Sequence, residues 1–105
     1  MKENDGSRIV SLEAKSVVWF SPNDEYAFFD WLERIECVTA VYGEHTSIFV
    51  DVDANALTQM EFRELIAIFR RYQIDLSQLR SLDTPAAREW LKNVTADWKR
   101  QVFRD

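Results

Sequence analysis

The stretch Ser47-Ile-Phe-Val-Asp-Val-Asp53 alternates apolar and polar side chains along its length. Successive side chains of a β-strand point to opposite faces, so the apolar even-numbered positions share one face. The other face carries Phe49, Asp51 and Asp53. This pattern predicts a strand over 47–53 with one buried face and one face that bears charge.

A second segment of period two, Cys37–Tyr42, precedes it, and the intervening residues 43–46 contain a glycine. Two strands joined in this way form a hairpin. Farther upstream, Lys15–Phe20 is β-branched and aromatic and stops at a Ser-Pro pair, which predicts another strand. Residues 1–14 show no periodicity, so we expect a flexible N-terminal arm there and one domain over 15–105.

Helix signals occupy the remaining segments. Pro22 follows a serine N-cap and begins a helix that is predicted to run to about Glu36. Thr58 and Glu61 have the spacing of a capping box and begin a second helix. Pro85, preceded by a threonine, begins the last helix.

The order of elements is therefore β-α-β-β-α-α, which predicts an α+β fold with a three-stranded sheet and helices packed on one face. The strand over 47–53 is the longest and most apolar, so we place it centrally, where both of its edges are paired. The other face of the sheet is then exposed to solvent, or covered by a partner or by the C-terminal helix.

Composition excludes several classes of protein. With 47% hydrophobic residues in 105, the chain is too apolar to be disordered. One cysteine excludes an internal disulfide and a thiolate zinc site. No apolar run approaches the length of about 18 residues that spans a bilayer, and the N-terminus lacks the apolar region of a signal peptide. We therefore expect a cytoplasmic protein.

Negative charge is concentrated in the first half of the chain. The net charge is −5, and residues 16–57 contain eight acids against a single base, Arg34. Such a field attracts basic partners and repels the nucleic acid backbone. Nucleic acid is thus not the expected partner.

Residues that commonly carry catalysis are isolated in this chain. His45 is the only imidazole and falls in the predicted turn, and Cys37 stands beside apolar neighbours at the start of a strand. Gly6 and Gly43 are the only glycines, so there is no Gly-rich phosphate loop. We expect no enzymatic activity and no cofactor.

Two other kinds of site stay open as alternatives. Asp51 and Asp53 on one strand face lie about 6.5–7 Å apart. With Glu44, this separation suits a site for a hydrated magnesium or calcium ion. It equally suits two solvated acids, or a docking site for Lys and Arg side chains. Arg70, Arg71, Lys99 and Arg100 are the basic clusters that a small RNA-binding or regulatory module would use. A pI near 4.9 disfavours the second alternative. Oligomeric scaffolding through the open sheet face is a further possibility.

Three segments carry a resemblance to known proteins. They are Pro22–Trp31 (PNDEYAFFDW), Arg71–Asp75 (RYQID) with Gln78-Leu79, and the tail from Trp90 through Trp98-Lys-Arg-Gln-Val-Phe103. Over residues 15–103 the chain is similar to small bacterial proteins from toxin-linked loci. In size, acidity and mixed α/β make-up it resembles the immunity proteins of contact-dependent growth inhibition and polymorphic toxin systems.

The resemblance implies a stoichiometric inhibitor that binds a cognate toxin domain, commonly a basic nuclease, in the cytosol. We expect the chain itself to be a monomer or a weak dimer. It assigns no functional residue to a position in this chain. From the charge pattern we expect the partner to contact acidic side chains around an apolar anchor. The expected partner-binding residues are Glu44, Asp51, Asp53, Asp30 and Glu33, with Phe49 or Tyr42 as the anchor.

Overall fold

A computed structural model describes residues 7–82 and 84–91 of the chain. Three antiparallel strands form one sheet in the order β1-β3-β2. The strands are β1 (Ile9–Lys15), β2 (Val38–Glu44) and β3 (Ser47–Asp53), and the helices are α1 (Pro22–Glu33), α2 (Gln59–Arg71) and α3 (Pro85–Leu91), with short 3₁₀ segments at Ala54–Ala56 and Leu76–Leu82. The predicted α+β class, element order and central position of the strand over 47–53 are confirmed.

The inner face of the sheet builds the core. Val50 and Val52 of β3 are fully buried, and they lie across from Leu12 and Val10 of β1 in the antiparallel register. Val41 of β2 lies across from Val50 on the other side. The two long helices contribute Phe28, Leu32, Phe62, Leu65, Ile66, Ile68 and Phe69 to the core, and Ile35, just after α1, adds to it.

The first strand begins at Ile9, so the prediction of a strand over Lys15–Phe20 is wrong, and residues 9–14 belong to the sheet instead of an arm. These residues do alternate, because Leu12 and Ala14 are buried while their neighbours are not. Ser16, with a φ of 51°, turns the chain out of the strand. Residues 1–6 of the predicted arm lie outside the described part of the chain.

The segment after β1 packs on the core through Val17 and Trp19. Trp19 lies against Phe28 and Tyr72, with ring centroids 5.1 and 5.9 Å away. Its neighbours Val18 and Phe20 are 64% and 90% exposed. Trp19 therefore packs against aromatic side chains of the helix layer. The segment does not pair as a strand, although its composition is typical of one.

Both long helices begin at the caps that the sequence predicts. The Ser21 hydroxyl accepts a hydrogen bond from the Asp24 amide at 3.2 Å, and Asp24 accepts one from the Phe20 amide at 3.1 Å. Thr58 and Glu61 form the reciprocal capping box. α1 ends at Glu33, earlier than the predicted Glu36.

Glu61 also connects the helix layer to the sheet. One carboxylate oxygen accepts from the Thr58 amide at 3.1 Å, and the other accepts from the Cys37 amide at 3.2 Å, just before β2. A single side chain thereby satisfies backbone donors on two elements. Trp31 adds a second link between helices, since its indole N–H donates to Glu64 at 2.7 Å.

The end of α2 has the hydrogen bonds of a Schellman motif. The Ile74 amide donates to the Phe69 carbonyl at 2.8 Å, and the Gln73 amide donates to the Arg70 carbonyl at 3.3 Å. Gln73 holds the left-handed position of the motif, with a φ of 60°. Glycine is the usual residue there, because a Cβ disfavours this conformation.

The outer edge of β1 is closed by a side-chain amide. Gln78 accepts a hydrogen bond from the Glu13 amide and donates one to the Glu13 carbonyl, each at 2.7 Å. The side chain thus pairs with the edge strand as a further backbone would, and such protection prevents strand addition. In the described residues, no helix is both long and apolar enough to cross a bilayer.

We expect Gln73→Gly to raise the free energy of unfolding by about 1 kcal/mol, because it removes the Cβ penalty at a positive φ. Urea denaturation followed by circular dichroism measures the change. Gln73→Ala is the matched control and should stay close to the parent, because it keeps the Cβ. Equal effects of the two substitutions would contradict the argument.

Gln78→Glu should lower the free energy of unfolding by about 1–3 kcal/mol, because a carboxylate cannot donate to the Glu13 carbonyl and leaves it without its partner. Gln59→Glu makes the same chemical change at the exposed start of α2, where negative charge is favourable, and should not destabilise. Thermal unfolding of both variants checks the comparison. A parent-like Gln78→Glu variant would rule out the edge-closing role.

Candidate protein-binding face

The sheet presents a face opposite the core, which we call the open face. It consists of the odd-numbered residues of β3 and the residues that pair with them on β1 and β2. All of these residues are exposed or half-buried. They are Ile9, Ser11, Glu13 and Lys15 on β1, Ala40, Tyr42 and Glu44 on β2, and Ser47, Phe49, Asp51 and Asp53 on β3. Five of the seven predicted partner-binding residues lie here.

Two aromatic rings form the centre of the open face. Tyr42 and Phe49 are direct cross-strand neighbours, and their rings stack with centroids 5.6 Å apart and an interplanar angle of 25°. Tyr42 is 43% exposed. Stacked cross-strand aromatics stabilise the strand pair and restrict the positions of both rings.

Carboxylates surround the aromatic pair. Asp51 follows Phe49 on the same face, and the Tyr42 hydroxyl donates to one of its oxygens at 3.5 Å. Glu44 is exposed at the hairpin end of β2. These carboxylates lie at the surface beside apolar rings, which is an arrangement that a lysine or arginine side chain can contact.

Asp53 has a structural role besides its charge. One of its oxygens accepts hydrogen bonds from the Arg8 and Asn55 amides, both at 3.1 Å. It thereby caps the 3₁₀ segment that follows β3. Two backbone donors hold the carboxylate at the margin of the open face, where it is half-buried.

Glu13 is a carboxylate of this face that the sequence analysis missed. It lies across from Phe49 in the register, and it accepts a hydrogen bond from the Ser47 hydroxyl at 2.6 Å. The alternation of Val10, Leu12 and Ala14 with polar residues was the available signal. Lys15, at the end of β1, is the only cation that the described residues place on the open face.

Asp30 and Glu33 are not near the other predicted residues. Both are exposed on α1, on the side away from its buried Phe28 and Leu32. Asp30 also forms an ion pair with Arg34 at 2.8 Å, four residues along the helix. The helix layer thus separates these two acids from the open face.

The alternative sites receive no support from the described geometry. No group of three or more His, Cys, Asp or Glu side chains within residues 7–82 and 84–91 is arranged to hold a metal ion. Arg70 and Arg71 form the last turn of α2, where cations favour the helix dipole. Lys99 and Arg100 lie outside the described residues.

Cys37 and His45 have no catalytic arrangement in this part of the structure. Burial raises the pKa of the Cys37 thiol to about 12, and the negative charge of Glu61 and a hydrogen bond to it act in the same direction. His45 is exposed in the hairpin turn with a φ of 58°. Neither residue offers an activated nucleophile.

Comparison with known proteins found no matching family model, no matching curated protein and no matching solved structure.

We expect Cys37 to make the protein less stable at alkaline pH. The unfolded thiol loses its proton near about pH 8.5, whereas the folded thiol keeps it to about 12. The unfolded state then binds fewer protons, so the free energy of unfolding falls as pH rises between these values. Urea titrations at pH 8 and pH 10 measure the loss.

Cys37→Ser is the control, because serine does not titrate in this range. Its free energy of unfolding should fall less between the two pH values than that of the parent. In the native parent the thiol should also resist a disulfide reagent at pH 8 until urea is added. Rapid labelling of native protein would contradict a raised pKa.

Proposed function

We propose that this chain is a non-catalytic binding protein that neutralises a cognate bacterial toxin domain in the cytoplasm, and that the open face is its contact surface. The observation that carries the proposal is the stacked pair Tyr42–Phe49 with carboxylates around it. Binding energy in protein interfaces concentrates in central aromatic side chains, while surrounding charges set rate and specificity. This face has both parts.

The chemistry of the face selects a basic partner. The open face bears Glu13, Glu44, Asp51 and Asp53 against Lys15 alone among the described residues. An acidic patch of this kind attracts the cationic cleft of a nuclease, since it presents negative charge as a nucleic acid does. The resemblance to immunity proteins in size, acidity and α+β make-up points to the same class of partner.

The size of the sheet adds a constraint. A three-stranded sheet of seven-residue strands measures about 15 by 23 Å, which is less than the roughly 800 Å² that each partner buries in a standard interface. A stable complex must therefore extend past the sheet. The hairpin turn at His45 and the exposed β2 edge lie next to the aromatic pair and extend the same surface.

Co-expression with the product of the neighbouring gene tests the function. The parent chain should restore growth and retain the toxin domain on a column. Phe49→Ala should weaken binding about 30-fold or more, as expected for a central anchor. Asp51→Asn should mainly slow association, by about tenfold at low salt.

The double variant Asp30→Asn/Glu33→Gln is the matched control, because it removes two acids from α1 and leaves the open face intact. It should bind as the parent does, and circular dichroism checks that every variant is folded. A neighbouring product that is neither toxic nor retained would overturn the proposed function. Equal losses in the α1 variant and in Asp51→Asn would overturn the assigned surface.

A further inference from the structure

A pocket of about 390 Å³ opens where the end of β1, the segment after it, the start of α1 and the end of α2 meet. Its volume is within the range of small-ligand sites, about 300–1,000 Å³. The side chains that give it chemical character are Lys15, Val18, Phe20, Arg71 and Tyr72. Of these residues, Lys15 also belongs to the open face described above, and the others do not.

The back of this pocket is rigid. Tyr72 packs edge-on against Trp19 and Phe28, and its hydroxyl donates to the Asp24 carbonyl at 3.4 Å. Ser16 is fixed by a 2.9 Å hydrogen bond from its amide to the Thr46 carbonyl. The pocket thus exists before a ligand binds, and little conformational entropy is lost on binding.

Two apolar side chains stand at its mouth without cover from the described residues. Phe20 is 90% exposed and Val18 is 64% exposed. An exposed phenylalanine has an unfavourable hydration free energy. Burial of its ring against an apolar ligand in the neighbouring pocket would be favourable. Trp19, between them, is the residue that holds the segment in place.

The same pocket is lined by two cations, Lys15 and Arg71, and by one carboxylate, that of Asp24. Lys15 and Arg71 have no carboxylate partner among the described residues. Asp24 also lines the pocket, but its carboxylate accepts the Phe20 amide at 3.1 Å. The two cations outnumber the one carboxylate among the described lining residues, so this concave site favours an anion even in a chain with a net charge of −5.

We infer that this pocket binds a carboxylate attached to an apolar, preferably aromatic, group. The carboxylate pairs with Arg71 and Lys15, and the apolar group packs on Phe20, Val18 and the Tyr72 ring. Arg71 supplies the planar fork of donors that suits a carboxylate. Two sources share this chemistry, a free aromatic acid and the C-terminal residue of a peptide, and the inference does not rest on the proposed toxin partner.

Titration of the ¹⁵N-labelled protein with 3-phenylpropionate, followed by amide chemical shifts, tests the site. We expect saturable shifts for residues 15–20 and 71–73 and weaker binding of 3-phenylpropionamide. Arg71→Gln should lower the affinity about tenfold or more, as expected for loss of a charge-assisted hydrogen bond. Arg34→Gln, an exposed arginine outside the pocket, is the matched control and should bind as the parent does.

Phe20→Ala isolates the apolar contact, because a side chain that is 90% exposed contributes no core packing. It should weaken phenylpropionate binding and leave the unfolding midpoint unchanged. N-acetylphenylalanine, which mimics a peptide C-terminus, distinguishes the sources, since tighter binding than phenylpropionate identifies a peptide and weaker binding a free acid. Equal affinity for acid and amide, shifts outside the pocket, or an unaffected Arg71→Gln variant would each overturn the inference.

Discussion

The burial of Val50 and Val52 in the central strand is the constraint on which the rest of the molecule depends. Both side chains are fully buried, and β3 is paired on both edges. A slip of one residue would move them to solvent and bring Asp51 into the core, so the register is strongly specified. The identity of the open face follows from the core, because every residue that is not inward on β3 and its partners must be outward.

Local signals predicted the hairpin and the helix starts, since these depend on neighbours in sequence. The capping box at Thr58 and Glu61 is complete within four residues, and it forms as expected. The first strand needed tertiary information. Lys15–Phe20 has the composition of a strand, but its tryptophan, Trp19, packs against Phe28 and Tyr72 and not at a sheet edge. β-propensity measures how well a side chain packs on a half-buried sheet surface. Tertiary packing therefore decides whether a segment with high β-propensity forms a strand.

The candidate site was predicted in part for the same reason. Period two placed Asp51 beside the Tyr42–Phe49 pair, and it could not place Asp30, which depends on where α1 packs. Much of the acidity of the first half of the chain also serves the fold. Asp24 and Asp53 accept backbone amides, and Asp30 pairs with Arg34. A count of charges in sequence therefore does not show where the negative charge lies, and the geometry identifies which carboxylates share the open face.

Lys15 joins the two surfaces inferred for this domain. It lies on the open face at the end of β1, across from Ser47, and it also lines the pocket with Arg71. A carboxylate in the pocket neutralises the one cation that the described residues give the open face. That change makes the face more negative within a Debye length of about 8–10 Å and strengthens its attraction for a basic partner. Linkage is reciprocal, so under these two proposals a bound basic partner would raise the affinity of the pocket for its acid by the same factor. The charge of Lys15 would then couple the two proposed sites without a conformational change.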